Sequence, residues 1–356
     1  MEIISFEKLL KVASKLNVTP SFLRDRYFKN VEVFTDGEIP VEITRGGKQV
    51  APFVAPEIGG KVLERDKKSV TTYEAPEVAP QRVITRKNLI RAEQGTGSII
   101  VDGAQDSIEA RKAKMIKADL QDEDDSITRR EEWMCSQALF KGQIIVNGDG
   151  YNNEAIVFWD QANKPYKELV GTAQWSNSAA DPLKDFEEAI ASVQTRSGYT
   201  PTEALIHPKD WSLIQNNEKI LKLLDTKNVS LGELNLDSTA NELGVRVVGR
   251  LAGLTILTYS QTVVTQDTND GVQQTVELVP EGYVLFANPS APTVMAYGVV
   301  QVNDVKAQDI KLVAMKRVPN MYLNNKNPAG IVTETKSAPL PVPLVPDAFY
   351  VLKVKE

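Results

Sequence analysis

Apolar positions recur with two periods along this chain, and the changes of period mark out its elements. Over residues 1–16, Phe6, Leu9, Leu10 and Ala13 share one face of a helix that Ser5 is placed to cap. A second short helix is predicted in TPSFLRDRYFKN, opened by Thr19 with Pro20 in its first turn. The two helices read either as core or as an arm that docks on a neighbouring subunit.

Between residues 40 and 100 the helical period disappears. Short runs rich in Val and Thr alternate with turn signals at Gly46-Gly47, Gly59-Gly60 and Asp66-Lys67-Lys68. Pro52, Pro56, Pro76 and Pro80 confine such runs to edge strands or ribbons. Few bulky apolar residues are present, so a self-contained core is not expected. The pattern predicts a long β-hairpin. A two-stranded ribbon is marginal alone in water, so it needs a surface to lie on, which an adjacent subunit could supply.

From Ala104 to Lys141 there is neither Gly nor Pro, while Gly103 precedes and Gly142 follows. Ala113, Ile116, Leu120, Ile127, Met134 and Ala138 are spaced 3, 4, 7, 7 and 4, which keeps one helical phase. Asp106 with Glu109 resembles a capping pair, and Gly142 suits the position just past the end. The pattern predicts one helix of roughly 50 Å at 1.5 Å per residue, either continuous or broken near Asp122–Asp125. Its apolar stripe is narrow, so it should lie along a sheet with one face wet. The acidic run from Asp119 to Asp125 reads as a solvated helix face.

After a loop in GDGYNNEAIVFWDQANKPY, a mixed pattern begins. A helix starts at Asp181-Pro182, carries Leu183, Phe186, Ile190 and Val193 on one face, and ends at Gly198. TEALIHP reads as a buried strand, and PKDWSLIQNNEKILKLLDT as helical. Strands follow at Val245–Val248 and Leu254–Tyr259, then a hairpin of QTVVTQD and QQTVELV across Asn269-Asp270-Gly271. EGYVLFANP and TVMAYGVVQV are further strands, and the tail TETKSAPLPVPLVPDAFYVLKVKE returns to β character. The fold class is α+β.

Composition narrows the function. At 356 residues the chain has room for two or three domains. A net charge of −6 does not favour a nucleic-acid binder, which needs a surplus of Lys and Arg. A single cysteine allows no internal disulfide, compatible with a reducing cytoplasm. The start MEIISFEKLLKVASKL has an acidic residue second and alternating charges within it, so it does not read as a signal peptide. No run of 18 apolar residues is present.

Chemical motifs do not assemble. Zinc sites need clusters of Cys and His, and the chain has one of each, Cys135 and His207. There is no phosphate loop and no nucleophile elbow; GTGSII has only two glycines of the dinucleotide pattern. A calcium loop starting at Asp119 would place Asp124 where Gly is required and Arg130 where Glu is required. Cys135 sits beside Glu131 and Glu132, the wrong sign for a reactive thiolate, and reads as packing. His207, before Pro208, reads as a structural histidine. A carboxylate-pair hydrolase in the second half stays open as an alternative. Parts that cannot bury themselves point instead to a subunit of a large assembly.

Several stretches carry a resemblance. TPSFLRDRYF, VAPFVAPEIGGKVL, YEAPEVAPQRVIT, EEWMCSQALFKGQIIV, IHPKDWSLIQNNEKI, FANPSAPTVMAYGVV and TKSAPLPVPLVPDAFYVLKV occur in this order over most of the length. Together they resemble the major capsid (head) protein of lambda-type tailed bacteriophages, which carries the Hong Kong 97-type fold. The resemblance implies an N-terminal arm over residues 1–40 and an extended loop over 41–103 that overlaps an adjacent subunit. It implies a peripheral domain over 104–179 with a spine helix over 104–142, an axial domain over 180–320, and a C-terminal return to the peripheral domain over 321–356. The expected function is a structural protein that self-assembles as pentamers and hexamers into an icosahedral shell around double-stranded DNA. The expected setting is the virion, assembled in the bacterial host cytoplasm.

Partners implied are a scaffolding protein and portal during assembly, a decoration protein where one binds, and DNA touched weakly and non-specifically. No membrane, cofactor, metal or catalytic residue is expected. Candidate inter-subunit contacts are Phe53, Arg65, Lys67, Lys68, Arg82 and Arg86. The ribbon also has Lys61, but no stretch matches an isopeptide-crosslinking motif. A nanocompartment shell of the encapsulin type is the alternative within the same fold.

Overall fold

A computed structural model describes residues 6–16, 21–45, 67–85, 108–148, 150–221, 232–234, 244–265, 273–304, 309–326 and 329–355. The helices that position the rest are α1 (Phe6–Ala13), α2 (Phe22–Tyr27), α3 (Ile108–Phe140), α4 (Pro182–Ser197) and α5 (Pro208–Gln215).

The predicted long helix is α3, which runs 33 residues without a break. It stops where the chain turns left-handed at Gly142 (φ +62°). A Cβ there would lie 1.9 Å from the Trp159 ring, so the end is fixed by sterics as well as by backbone freedom. The proposed capping residue Asp106 lies outside the described residues.

The expectation of a helix wet along one face is corrected at the C-terminal end. Residues 131–140 are all buried. There α3 passes through the largest apolar core, which also holds Leu23, Tyr27, Phe286's neighbour Leu285, Met295, Tyr297 and Leu340.

A seven-stranded mixed sheet forms the other main layer. Its order is Tyr166–Glu168, Tyr350–Lys353, Tyr283–Ala287, Glu203–Ile206, Leu254–Tyr259, Val245–Leu251, Gly232–Leu234. Strands such as EALI and YVLFA show no polar alternation because both faces are covered. Leu205, Leu257, Leu285 and Val351 join the largest core. Ala204, Ile206, Ile256, Val284, Phe286 and Leu352 pack on the other side with α4 and α5.

Helix α4 begins and ends as predicted. Asp181 accepts a hydrogen bond from the Lys184 N–H at 3.3 Å, and Gly198 closes it at φ +69°. Helix α5 is shorter than predicted and ends at Gln215. Asn217 Oδ1 accepts from the Lys219 and Ile220 N–H groups, so the chain caps a new helical turn instead of continuing the old one. The stretch read as a loop after α3 contains a strand, Tyr151–Val157, paired with Gln143–Gly148.

Among the described residues, four two-stranded ladders and two three-stranded sheets accompany the seven-stranded sheet. In one three-stranded sheet, Asn30–Val33 runs parallel to Thr293–Tyr297, which pairs with Pro339–Pro343. Leu344 N–H donates to Pro292, and Gly298 N–H to Ala338. The even positions of the tail therefore face their partner, and the prolines at 339, 341 and 343 turn their missing donors to the outer edge. In the other, Gly330–Lys336 lies between Val318–Asn324 and Gln81–Ile84.

The predicted ribbon is present as Glu38–Arg45 paired antiparallel with Lys67–Glu74, in register from Glu38↔Glu74 to Arg45↔Lys67. Lys67 and Lys68 thus stand in the ladder and not in a turn, because eight consecutive pairs take precedence over the local Asp-Lys-Lys signal. The base of the ribbon lies on its own subunit, since Ile39, Val41 and Ile43 are buried in the largest core. Residues 46–66 and 86–103 of the predicted loop lie outside the described residues.

Candidate assembly site

Adjacent residues of a helix point about 100° apart, and α3 uses this to aim two buried carboxylates at different elements. Glu132 accepts hydrogen bonds from the backbone N–H groups of Phe22 (3.0 Å), Leu23 (2.6 Å) and Arg24 (2.9 Å). These are the unsatisfied donors of the first turn of α2. Ser21, the N-cap residue, makes no side-chain cap bond. The predicted start at Thr19-Pro20 is thereby corrected: α2 starts at Phe22, capped by a carboxylate far away in sequence. Tyr259 Oη also donates to Glu132, at 3.1 Å.

Glu131 is fully buried and accepts from Arg24 Nη1 (2.8 Å), Arg317 Nη1 (2.7 Å) and Tyr297 Oη (2.9 Å). Burial opposes its charge, but Arg317 and Arg24 outweigh burial and hold the carboxyl below its ordinary value. Arg317 also donates from Nε to Asp124 at 2.5 Å. On the far side of α2, Glu203 accepts from Tyr27 Oη at 2.6 Å and from Arg26 Nε at 2.8 Å. The segment after the N-terminal helix is therefore clamped between α3 and the seven-stranded sheet by charged hydrogen bonds.

Cys135 lies within this region, fully buried. Burial, with Glu132 and Glu131 adding to it, pushes its thiol well above the ordinary value. It is a packing residue, as its sequence setting implied. His207 is engaged elsewhere: its Nδ1 accepts from the Lys209 N–H at 3.3 Å at the start of α5.

The His207, Glu277 and Glu281 side chains converge, with ligand-type atoms within 4.8 Å of one another. This is the grouping sequence spacing could not reveal. His207 Nε2 lies 3.4 Å from Glu277. With Nδ1 accepting, the neutral ring carries its proton on Nε2, which opposes metal ligation there. Glu281 is also taken, by the ammonium groups of Lys209 (2.6 Å) and Lys355, which hold its carboxyl down at about 2. The cluster is an ion-pair network in which lysines stand where a cation would.

Among the candidate contacts, Arg82 lies on the strand Gln81–Ile84 and pairs with Asp122 of α3 at 3.1 Å, both half exposed. Lys67 and Lys68 lie on the ribbon strand. Phe53, Arg65 and Arg86 lie outside the described residues, as does Lys61. The acidic run on α3 is not simply a wet face. Glu123 within it is 1% exposed and accepts from Thr333 and Thr335 hydroxyls, each at 2.7 Å. No helix among the described residues is long and apolar enough to cross a membrane.

Two short helices, a ribbon, a long helix and a mixed sheet follow one another in this chain, and a comparison over most of its length assigns them to a family. A profile of the family described as phage major capsid protein E matches residues 5–354. The chain belongs to the phage major capsid protein E family. It is 25% identical over 341 residues to the major capsid protein of Escherichia phage lambda, covering 94% of each chain. To the major capsid protein of Enterobacteria phage phi80 it is 23% identical over 363 residues, covering 99% and 100%. A crystal structure of a candidate prophage capsid protein from E. coli CFT073 superposes with a TM-score of 0.68 at 18% identity, covering all of both chains. The fold is α+β of the Hong Kong 97 type. Members of this capsid family are structural proteins of the virion that associate with copies of themselves.

Proposed function

We propose that copies of this chain close, as pentamers and hexamers, into an icosahedral shell around the double-stranded DNA genome of a tailed phage. The carrying observation is the family match from residue 5 to residue 354, which spans arm, ribbon, spine helix and tail together. The chain works by shape and contact, without catalysis.

In this reading residues 1–40 are the arm and 41–103 the extended loop. Residues 104–179 form the peripheral domain, 180–320 the axial domain, and 321–356 return to the peripheral one. One sequence must fit non-identical environments in such a shell, so arm and loop are its pliable parts. Each contact is modest, and many linked contacts give the shell its strength. Phe53, Arg65, Lys67, Lys68, Arg82 and Arg86 contact neighbours. A scaffolding protein and a portal take part in assembly, and packaged DNA is touched weakly, in keeping with the net charge of −6. The phage capsid family match favours a genome over the enzyme cargo of a nanocompartment.

Removal of residues 50–61 tests the loop. The expected result is folded, soluble subunits that fail to close shells. Normal shells from this variant would end the overlap reading.

A further inference from the structure

Among the described residues, Glu123 is a buried carboxylate without a cation in hydrogen-bonding contact; its two donors there are the neutral hydroxyls of Thr333 and Thr335. It projects from α3 onto the central strand of the sheet formed by Val318–Asn324, Gly330–Lys336 and Gln81–Ile84. The last of these is the strand by which the chain leaves the ribbon. Beside it lies a small separate core of Leu9, Ile84, Ile116, Leu120, Met321 and Ile331, which joins α1, the first half of α3 and this sheet. A carboxylate here therefore sits where one helix holds one three-stranded sheet.

The surrounding charges do not neutralise it. Asp119, one turn earlier on α3, adds a like charge. Arg82 on the hairpin-exit strand acts on it at a distance and is committed to Asp122 at 3.1 Å. On the central strand, Glu334 is held by Gln81 Nε2 at 2.7 Å and Lys336 by Glu77 at 2.7 Å. Tyr322 of the third strand donates to Gln81, and Lys11 and Lys15 near α1 are exposed. Two neutral hydroxyls compensate a buried full charge only in part. A protonated carboxyl suits the same site well, because a threonine hydroxyl accepts as readily as it donates.

We propose that Glu123 is a proton-operated latch between α3 and the sheet that carries the hairpin exit: protonated, it holds the sheet to the helix; ionised, it loosens that contact. The working range ends close to neutral, since burial pushes the Glu123 carboxyl up to about 7 from its ordinary 4.5. The latch belongs to a single chain. Its consequence, a ribbon less firmly anchored at higher pH, rests on the reading of that ribbon as the contact to a neighbouring subunit.

Hydrogen exchange on unassembled full-length subunits tests the latch between about pH 4.5 and 8.5, after correction for the intrinsic pH dependence. Protection of residues 81–84 and 330–336 should fall by roughly tenfold per pH unit between about pH 4.5 and 7, where only the open form has lost the proton, and level off above pH 7. Glu123→Gln should keep high, flat protection over the range. Thr335→Val, which removes one donor to the ionised form, should move the pH at which protection levels off upward. Equal profiles for wild type and Glu123→Gln would overturn the latch, as would a levelling point unmoved by Thr335→Val. Failure of the loop deletion to impair shells, with these profiles intact, would instead remove only the consequence for assembly.

Discussion

Single residues of α3 carry charge into the core, and each does so for a definable reason. Glu132 replaces a helix cap that Ser21 does not supply, so Glu132→Ala leaves three N–H groups of α2 without their acceptor and the Tyr259 hydroxyl with only Gln261 at 3.3 Å. We expect a loss of about 2–4 kcal/mol, read by chemical denaturation of the subunit. Glu123 gives the opposite pH behaviour from an ion-paired acid. Its folded value of about 7 lies above the ordinary 4.5, so the native state holds the proton over that interval. Its contribution is complete below about pH 4.5 and is lost as pH rises through 7. The stability difference between Glu123→Gln and wild type should therefore grow by about 3 kcal/mol from pH 4.5 to 8. The inertness of Cys135 was legible from its acidic neighbours. The destinations of those neighbours were not, because Phe22, Tyr297 and Arg317 reach them only through the tertiary fold.

Elements were legible where periodicity was long or punctuation strong. The phase of Ala113 through Ala138 and the flanking glycines marked α3, and Asp181-Pro182 with Gly198 marked α4. Missed boundaries lay where side chains override the local pattern, as Asn217 does after α5. The burial of α3 on all sides near its end was also hidden, since polar Glu131, Glu132, Ser136 and Gln137 are buried there by partners and not by apolarity. Gly330 shows how close the elements are. A Cβ on it would lie 2.5 Å from the Ile84 carbonyl oxygen, so Gly330→Ala must push the hairpin-exit strand away. We expect a cost of about 1–3 kcal/mol, with hydrogen exchange faster in residues 81–84 than in the seven-stranded sheet.

At the scale of the molecule, two large cores share the seven-stranded sheet, and a smaller core under α1 joins the ribbon's exit to the spine helix. The base of the ribbon is held by its own subunit, and in the proposed reading the loop beyond it reaches others. Such a subunit should be stable before assembly and change mainly at its arm and loop when shells form. The family assignment required the ordered resemblance over the whole length, because no single motif in the chain carries a chemistry. The central claim is self-assembly into a closed shell. Electron microscopy of the purified protein, with sedimentation velocity on the same sample and with its scaffolding protein co-expressed, tests it most directly. Closed shells, or discrete pentamers and hexamers, are the predicted result; a protein that stays monomeric with its scaffolding protein present would contradict it.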